Sequence, residues 1–96
     1  MSWGNWDLNV GNACLEFNDP QMGMIYQIPV DEISTSAEVL DWIYQVEEKT
    51  WASDVDVGHL VSAMREILGR GIAGGGLDNP VDAKSILSRR YGIKFP

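Results

Sequence analysis

The stretch with the spacing of a known cofactor-binding motif is rich in glycine. Its residues, Gly69-Arg70-Gly71-Ile72-Ala73-Gly74, follow the order G-x-G-x-x-G. In dinucleotide-binding folds such glycines bring the backbone close to a pyrophosphate, where a strand ends and a helix begins. Here a helical pattern precedes the glycines and no strand leads into them, so the motif lacks the elements that its chemistry needs. We predict a linker over residues 69–78 and no cofactor.

Other residue types that could do chemistry stand alone. His59 is the only histidine and Cys14 the only cysteine, so no zinc-ligand spacing exists. We predict that His59 is solvated on the polar face of a helix, and that Cys14 is a small buried residue of a strand. Asp54 and Asp56 are interpreted as helix-capping carboxylates rather than calcium ligands. We therefore predict that the chain is not an enzyme and binds no metal.

The aromatic residues form a more informative pattern. Four tryptophans in 96 residues is a high number, and Trp and Tyr are enriched at protein interfaces. Trp3 and Trp6, near the N-terminus, are predicted to be partly exposed. For Trp42 and Trp51 a place in the core is the alternative to a place at an interface. The predicted interface candidates are Trp42, Tyr44, Trp51, Tyr91, Phe95, Arg89 and Arg90.

Residues 35–50 show the strongest structural pattern and are predicted to form the central helix. Thr35 and Glu38 have the spacing of a capping box at its start. The apolar positions cover an arc of roughly 220°, which is wider than one contact needs, so a sheet and another helix should both cover it. Glu47 projects into this arc. We predict that it reaches water where the helix frays; a buried, paired carboxylate is the alternative.

The rest of the chain predicts an α+β fold in one domain. Residues 1–30 should form a three-stranded antiparallel meander, with strands at 6–10, 13–17 and 24–30. In the third strand Met24, Tyr26 and Ile28 should share one face, opposite Ile25 and Gln27. A second helix is predicted at 55–68, antiparallel to the central helix, because its apolar positions follow helical spacing. Residues 79–96 should form a weaker third helix, capped by Asn79-Pro80, and a tail.

Charge is distributed unevenly along the chain. The net charge is −7, yet residues 1–48 hold nine acids and no Lys or Arg, whereas residues 49–96 hold seven basic residues and five acids. An acidic half would repel phosphates, so direct nucleic-acid binding is not expected. It could face a basic protein or the basic tail of another copy, or it could simply maintain solubility. No membrane span or secretory signal is expected, and the lone cysteine favours the cytoplasm.

Several segments resemble one group of proteins. They are Trp6-Asp7, Tyr26-Gln27-Ile28-Pro29, residues 36–46 and Lys49-Thr50-Trp51-Ala52. Together they resemble small uncharacterised bacterial proteins carried on mobile gene cassettes of the integron type, with the pattern D-W-I-x-Q-V-x-x-K-x-W. The resemblance covers about residues 6–68, and those proteins end soon after the second helix. It implies a mobile-element context and no known activity.

Two function classes follow from these patterns. The leading prediction is a non-enzymatic interaction module that self-associates as a homodimer. The runner-up is an acidic inhibitor that occupies the basic or nucleic-acid-binding surface of a partner protein; a small-molecule binder with a Trp-rich pocket is the weaker alternative. The dimer should bury the aromatic residues and the tail Tyr91 to Pro96, with Arg89, Arg90 or Lys94 facing acids at its rim. Deleting residues 90–96 should then weaken association more than reversing Arg89.

Overall fold

The computed structural model describes residues 2–69 and 82–95 of the chain. Within these two ranges, four antiparallel strands form one sheet in sequence order, and three α-helices follow. The α+β class is confirmed, but the sheet has four strands instead of three. The strands are β1 (Ser2–Trp3), β2 (Trp6–Asn9), β3 (Cys14–Asp19) and β4 (Gly23–Pro29). A short 3₁₀ turn (Val30–Glu32) leads to α1 (Ser36–Glu47), α2 (Asp54–Leu68) and α3 (Ala83–Tyr91).

The additional strand β1 is only two residues long, too short to give an alternating pattern in the sequence. It pairs with β2 through a two-residue hairpin in which Trp3 lies opposite Trp6. Gly4, the first residue of that turn, has a φ of +61°, which is typical of the tight hairpin turns that require glycine at this place. The hairpin places both indoles on the face of the sheet that the helices cover.

Register in β4 differs from the prediction because of a bulge. Phe17 lies opposite Tyr26, but the next residue, Asn18, lies opposite Met24, so Ile25 has no partner in β3. One extra residue reverses the direction of every side chain beyond it. Met24 is therefore 47% exposed, whereas Ile25 packs against the core. The prediction that Met24 shares a face with Tyr26 and Ile28 is wrong.

The helix ends follow local capping chemistry. The Thr35 hydroxyl accepts a hydrogen bond from the Glu38 backbone N–H at 3.2 Å, as predicted. Ser53 and Asp56 form a reciprocal capping box before α2. α1 ends at Glu47, which is exposed as predicted. α3 begins after Asp82, whose carboxylate accepts from the Ser85 N–H; the predicted start at Asn79-Pro80 and most of the glycine-rich linker lie outside the described residues.

α2, rather than the predicted central helix, is the element on which the others pack. It contacts β1, β2, α1 and α3, while α3 also contacts the 3₁₀ turn. Its inward side chains Leu60, Ala63 and Ile67 have no exposed surface. Sequence periodicity favoured α1 because its apolar arc is wider, but width measures how much of a helix is apolar, not how many elements contact it.

Two tryptophans join the sheet to α2, against the prediction that they are partly exposed. Trp3 is 8% exposed and Trp6 is fully buried. The Trp3 indole N–H donates to Glu66 Oε2 at 2.7 Å, and that of Trp6 donates to the Asp56 carbonyl oxygen at 2.9 Å. Position near a chain end suggested exposure, but each indole finds both an apolar environment and an acceptor on α2.

The packing of the β1–β2 hairpin against α2 also explains why Gly4 cannot carry a side chain. A Cβ at Gly4 would lie 2.0 Å from Nδ1 of His59, and an L-residue also pays for the positive φ. We expect Gly4→Ala to lower the free energy of unfolding by about 2 kcal/mol, measured by urea denaturation. In the double variant with His59→Ala, the loss of stability due to the clash should disappear, and the loss due to the positive φ should remain. If Gly4→Ala is neutral, β1 does not dock against α2.

Candidate interaction surfaces

Trp51 and Trp42 pack against the core. The Trp51 ring lies 4.6 Å from Phe17, 5.4 Å from Tyr26 and 6.4 Å from Trp6, measured between centroids. Trp42 meets Tyr26 edge to face at 6.4 Å. Both tryptophans keep part of their surface exposed. Their ring contacts are nonetheless with other aromatic residues of the same chain, so packing within one chain accounts for both tryptophans.

The tail also packs against its own chain. Ile93 is 7% exposed, and Tyr91 and Phe95 are partly buried against the core. Lys84 lies over the Phe95 ring, with Nζ 5.8 Å from its centroid. The described part of the tail, residues 91–95, is therefore covered within its own chain and does not need a dimer to bury it.

The two candidate arginines contact backbone carbonyl oxygens. Arg90 donates to the carbonyl oxygen of Glu66, which ties α3 to the end of α2. Arg89 Nε donates to Ser85 O at 3.4 Å within α3, and its side chain remains exposed. Lys49, the first basic residue of the chain, lies over the Tyr26 ring at 5.6 Å. These three cations thus contact backbone carbonyl oxygens or an aromatic ring.

Tyr44 is the aromatic candidate that projects into solvent. Its side chain is 60% exposed in the middle of α1. Asp41, Glu47 and Glu48 lie three or four positions away, which places them on the same side of the helix. The Asp41 carboxylate accepts from the Gln45 amide at 3.0 Å. This surface combines one aromatic ring with several carboxylates, so a second copy of it would be repelled.

A second surface, which the sequence analysis missed, runs along α2. We call it the outer face of α2. Val55 is 65% and Val61 is 38% exposed on it, and a shallow groove of about 350 Å³ is lined by Ser62, Arg65 and Glu66. All of its residues are exposed to solvent: Asp54, Val55, Gly58, Val61, Ser62, Arg65 and Glu66.

Gly58 is the unusual residue of this face. It lies in the interior of α2, where glycine costs roughly 1 kcal/mol relative to alanine. Its φ is not positive, and a Cβ added to it would meet no atom within 4 Å. Among the described residues, therefore, nothing requires a glycine here. A helical glycine without an internal reason is the sequence signal that could have pointed to this surface.

The residues that could do chemistry are placed apart. Cys14 is half-buried on β3 rather than buried; burial, followed by the charges of Asp31, Glu16 and Glu32, raises the pKa of its thiol. The thiol is thus protonated at neutral pH and a poor nucleophile. His59 is partly buried over Gly4, not fully solvated. Within residues 2–69 and 82–95, no group of three or more His, Cys, Asp or Glu side chains could hold a metal ion.

Comparison with known proteins adds no relative. No protein-family model, curated protein or solved structure matches the chain. In the described ranges no helix has both the length and the hydropathy that crossing a membrane requires.

Proposed function

We propose that this chain is a non-enzymatic interaction module that self-associates through the outer face of α2. The observation that carries the proposal is Gly58. An alanine at this position would stabilise the helix, and its methyl group would contact none of the described residues. Close approach of another backbone is a common reason for glycine in a position that otherwise disfavours it.

The surroundings of Gly58 support the same conclusion. Val55 and Val61 present apolar surface on either side of it, and Ser62, one turn further, is small enough to allow another helix near. Single exposed apolar residues are ordinary on a protein surface. Here two of them flank a position without a side chain, which gives a partner both contact area and room.

The remaining parts of the proposal concern context. A cytoplasmic location agrees with a single, half-buried cysteine. A mobile-cassette origin rests on the sequence resemblance of residues 6–68. The proposed absence of enzymatic activity is supported by the positions of Cys14 and His59: Cys14 pairs with Asn9 at one end of β2, whereas His59 lies beside Gly4, beyond the other end. The predicted Trp-rich pocket receives no support, because the space around Trp51 is filled by aromatic rings.

Gly58→Ala separates folding from association. We expect it to raise the free energy of unfolding of the dilute monomer by about 0.5–1 kcal/mol, because the new methyl group has no neighbour within 4 Å in the part of the chain that the structure describes. The same methyl group should weaken self-association, because it would separate the two helices. Urea denaturation measures the first quantity and sedimentation equilibrium or light scattering the second. Ser88→Ala, an exposed site on α3, is the matched control: it should not change association.

A second candidate function is binding to a basic partner protein. It is favoured by the carboxylates around Tyr44 and by the lack of any Lys or Arg before Lys49. Light scattering at low and high salt distinguishes the two candidates, because exposed charge pairs are screened by salt and apolar contacts are not. A dimer at all salt concentrations supports self-association. A monomer that binds a polylysine peptide only at low salt, with loss in Asp41→Asn, supports the second candidate and contradicts the first.

A further inference from the structure

We infer that two copies of this chain pair antiparallel along the outer face of α2, with Asp54 of each copy opposite Arg65 of the partner subunit. The inference rests on the proposed self-association and specifies its geometry. It depends on three features of α2: the order of its charges, the position of its smallest residues, and the side of the helix on which each lies.

The helix presents its smallest residues at the centre of the exposed surface. At about 100° per residue, Gly58 and Ser62 lie within roughly 40° of each other, in the middle of the outer face. Asp54, Val61 and Arg65 lie on the other side of Gly58 from Ser62, at about 40°, 60° and 20° from it. The side chains of Asp54 and Arg65 are both exposed. Gly58 therefore leaves room for a second helix, and the charges lie on one side of it.

The charged pair and the pair of small residues also share nearly the same midpoint along the helix axis. Asp54 and Arg65 are eleven positions apart, which is about 16 Å of helix. The midpoint between them falls between positions 59 and 60, and the midpoint of Gly58 and Ser62 is position 60. The centre of the charge pair and the centre of the small residues thus coincide within one residue. A two-fold axis at this point brings glycine and serine of the two copies together.

Charge decides the direction of pairing. In the antiparallel arrangement, the two-fold axis places each Asp54 beside Arg65 of the partner subunit, on the same side of the contact. In a parallel arrangement, each Arg65 would approach Arg65 of the partner subunit, because Arg65 lies close to the middle of the face. The Tyr44 surface has no such complementarity, because the charged side chains on it, Asp41, Glu47 and Glu48, are all acidic. The antiparallel α2 contact is complementary in charge to its own copy.

Disulfide trapping tests the geometry in the full-length chain. In a Cys14→Ser background, Ser62→Cys should form an intermolecular disulfide on mild oxidation, because a residue near a two-fold axis lies close to its own copy. Tyr44→Cys, equally accessible, should not. Asp54→Cys and Arg65→Cys should each crosslink poorly alone and efficiently when the two variants are mixed. The readout is the dimer band on a non-reducing gel.

A charge exchange tests the same pairing without cysteines. Arg65→Glu should weaken association by roughly tenfold, since two exposed charge pairs per dimer become repulsive. The double variant Asp54→Lys, Arg65→Glu should restore it, because the signs are exchanged. Lys94→Glu, at an exposed position outside α2, is the matched control, because it changes the net charge by the same amount as Arg65→Glu and should leave association unchanged.

The outcomes separate the geometry from the proposed function. A dimer in which Tyr44→Cys crosslinks and Ser62→Cys does not would overturn the antiparallel α2 pairing and leave self-association standing. A dimer whose double charge variant is as weak as Arg65→Glu alone would do the same. A chain that remains monomeric in light scattering and gives no disulfide dimer overturns both.

Discussion

Replacing Trp6 with alanine is expected to lower the free energy of unfolding by about 3–5 kcal/mol, the usual cost of removing a buried aromatic side chain. Trp6 has no exposed surface and packs on the rings of Phe17, Tyr26 and Trp51. Small domains have a total stability of roughly 5–15 kcal/mol, so the variant should be near its limit at room temperature. The change would remove one of the two tryptophan links between the sheet and α2, and the link from Trp3 to Glu66 would remain.

Trp6→Phe separates packing from hydrogen bonding. Phenylalanine keeps most of the ring but leaves the Asp56 carbonyl without its indole donor, which should cost about 1–3 kcal/mol. Urea unfolding followed by far-UV circular dichroism measures both variants. Met22→Ala is the control, because Met22 is 78% exposed and should change stability by less than about 0.5 kcal/mol. Equal effects of Trp6→Ala and Met22→Ala would show that the aromatic cluster is not the core.

Truncation after Arg89 is the second change with a large expected effect. Removing residues 90–96 exposes the surfaces that Ile93, Tyr91 and Phe95 cover and deletes the bond from Arg90 to α2. We expect a loss of about 3–5 kcal/mol, given 1.5–3 kcal/mol for one fully buried apolar side chain. Any loss of association in the truncated chain should therefore result from unfolding and not from the loss of a binding surface.

This truncation needs a control that keeps the fold. Phe95→Ala removes one partly buried ring and should cost less, while Lys94→Ala, at an exposed position, should cost almost nothing. Association should follow the folded fraction of each variant rather than the presence of the tail. A truncated chain that unfolds at the same urea concentration as the full-length chain would contradict the packing of the tail.

Local chemistry predicted much of this fold from the sequence. The Thr35 cap, the Ser53 and Asp56 capping box and the end of α2 at Gly69 each depend on residues within one turn of each other. Such interactions can be read directly from spacing. The α+β order of elements also follows, because alternating and helical periodicity occupy different parts of the chain.

What the sequence did not predict depends on contacts between distant segments. The burial of Trp3 requires Glu66 as an acceptor, and spacing does not connect these residues. The bulge at Ile25 depends on how β3 pairs with β4, so counting along one strand cannot find it. Hydrophobic pattern alone likewise favours the helix with the most apolar residues, and so it placed α1 at the centre instead of α2.

The candidate surfaces, too, depend on contacts that spacing along the chain does not predict. Of the seven predicted interface residues, Tyr44 presents a large exposed aromatic surface. Trp51 and Phe95 are held by rings or cations that fold against them from other elements. The outer face of α2 was missed because a search for apolar periodicity ignores the polar side of a helix, where Gly58 lies.

The hydrogen bonds from Trp3 and Trp6 to α2 span 63 and 50 residues of the chain. During synthesis at about 5–20 residues per second, the first strands therefore exist for roughly 3–12 s before their acceptors have been made. In that interval the apolar face of the sheet is open to other nascent chains. Residues 1–48 carry nine acids and no basic side chain, and like charges on neighbouring chains oppose their association. The uneven charge of the sequence thus protects the half of the protein that must wait longest to fold.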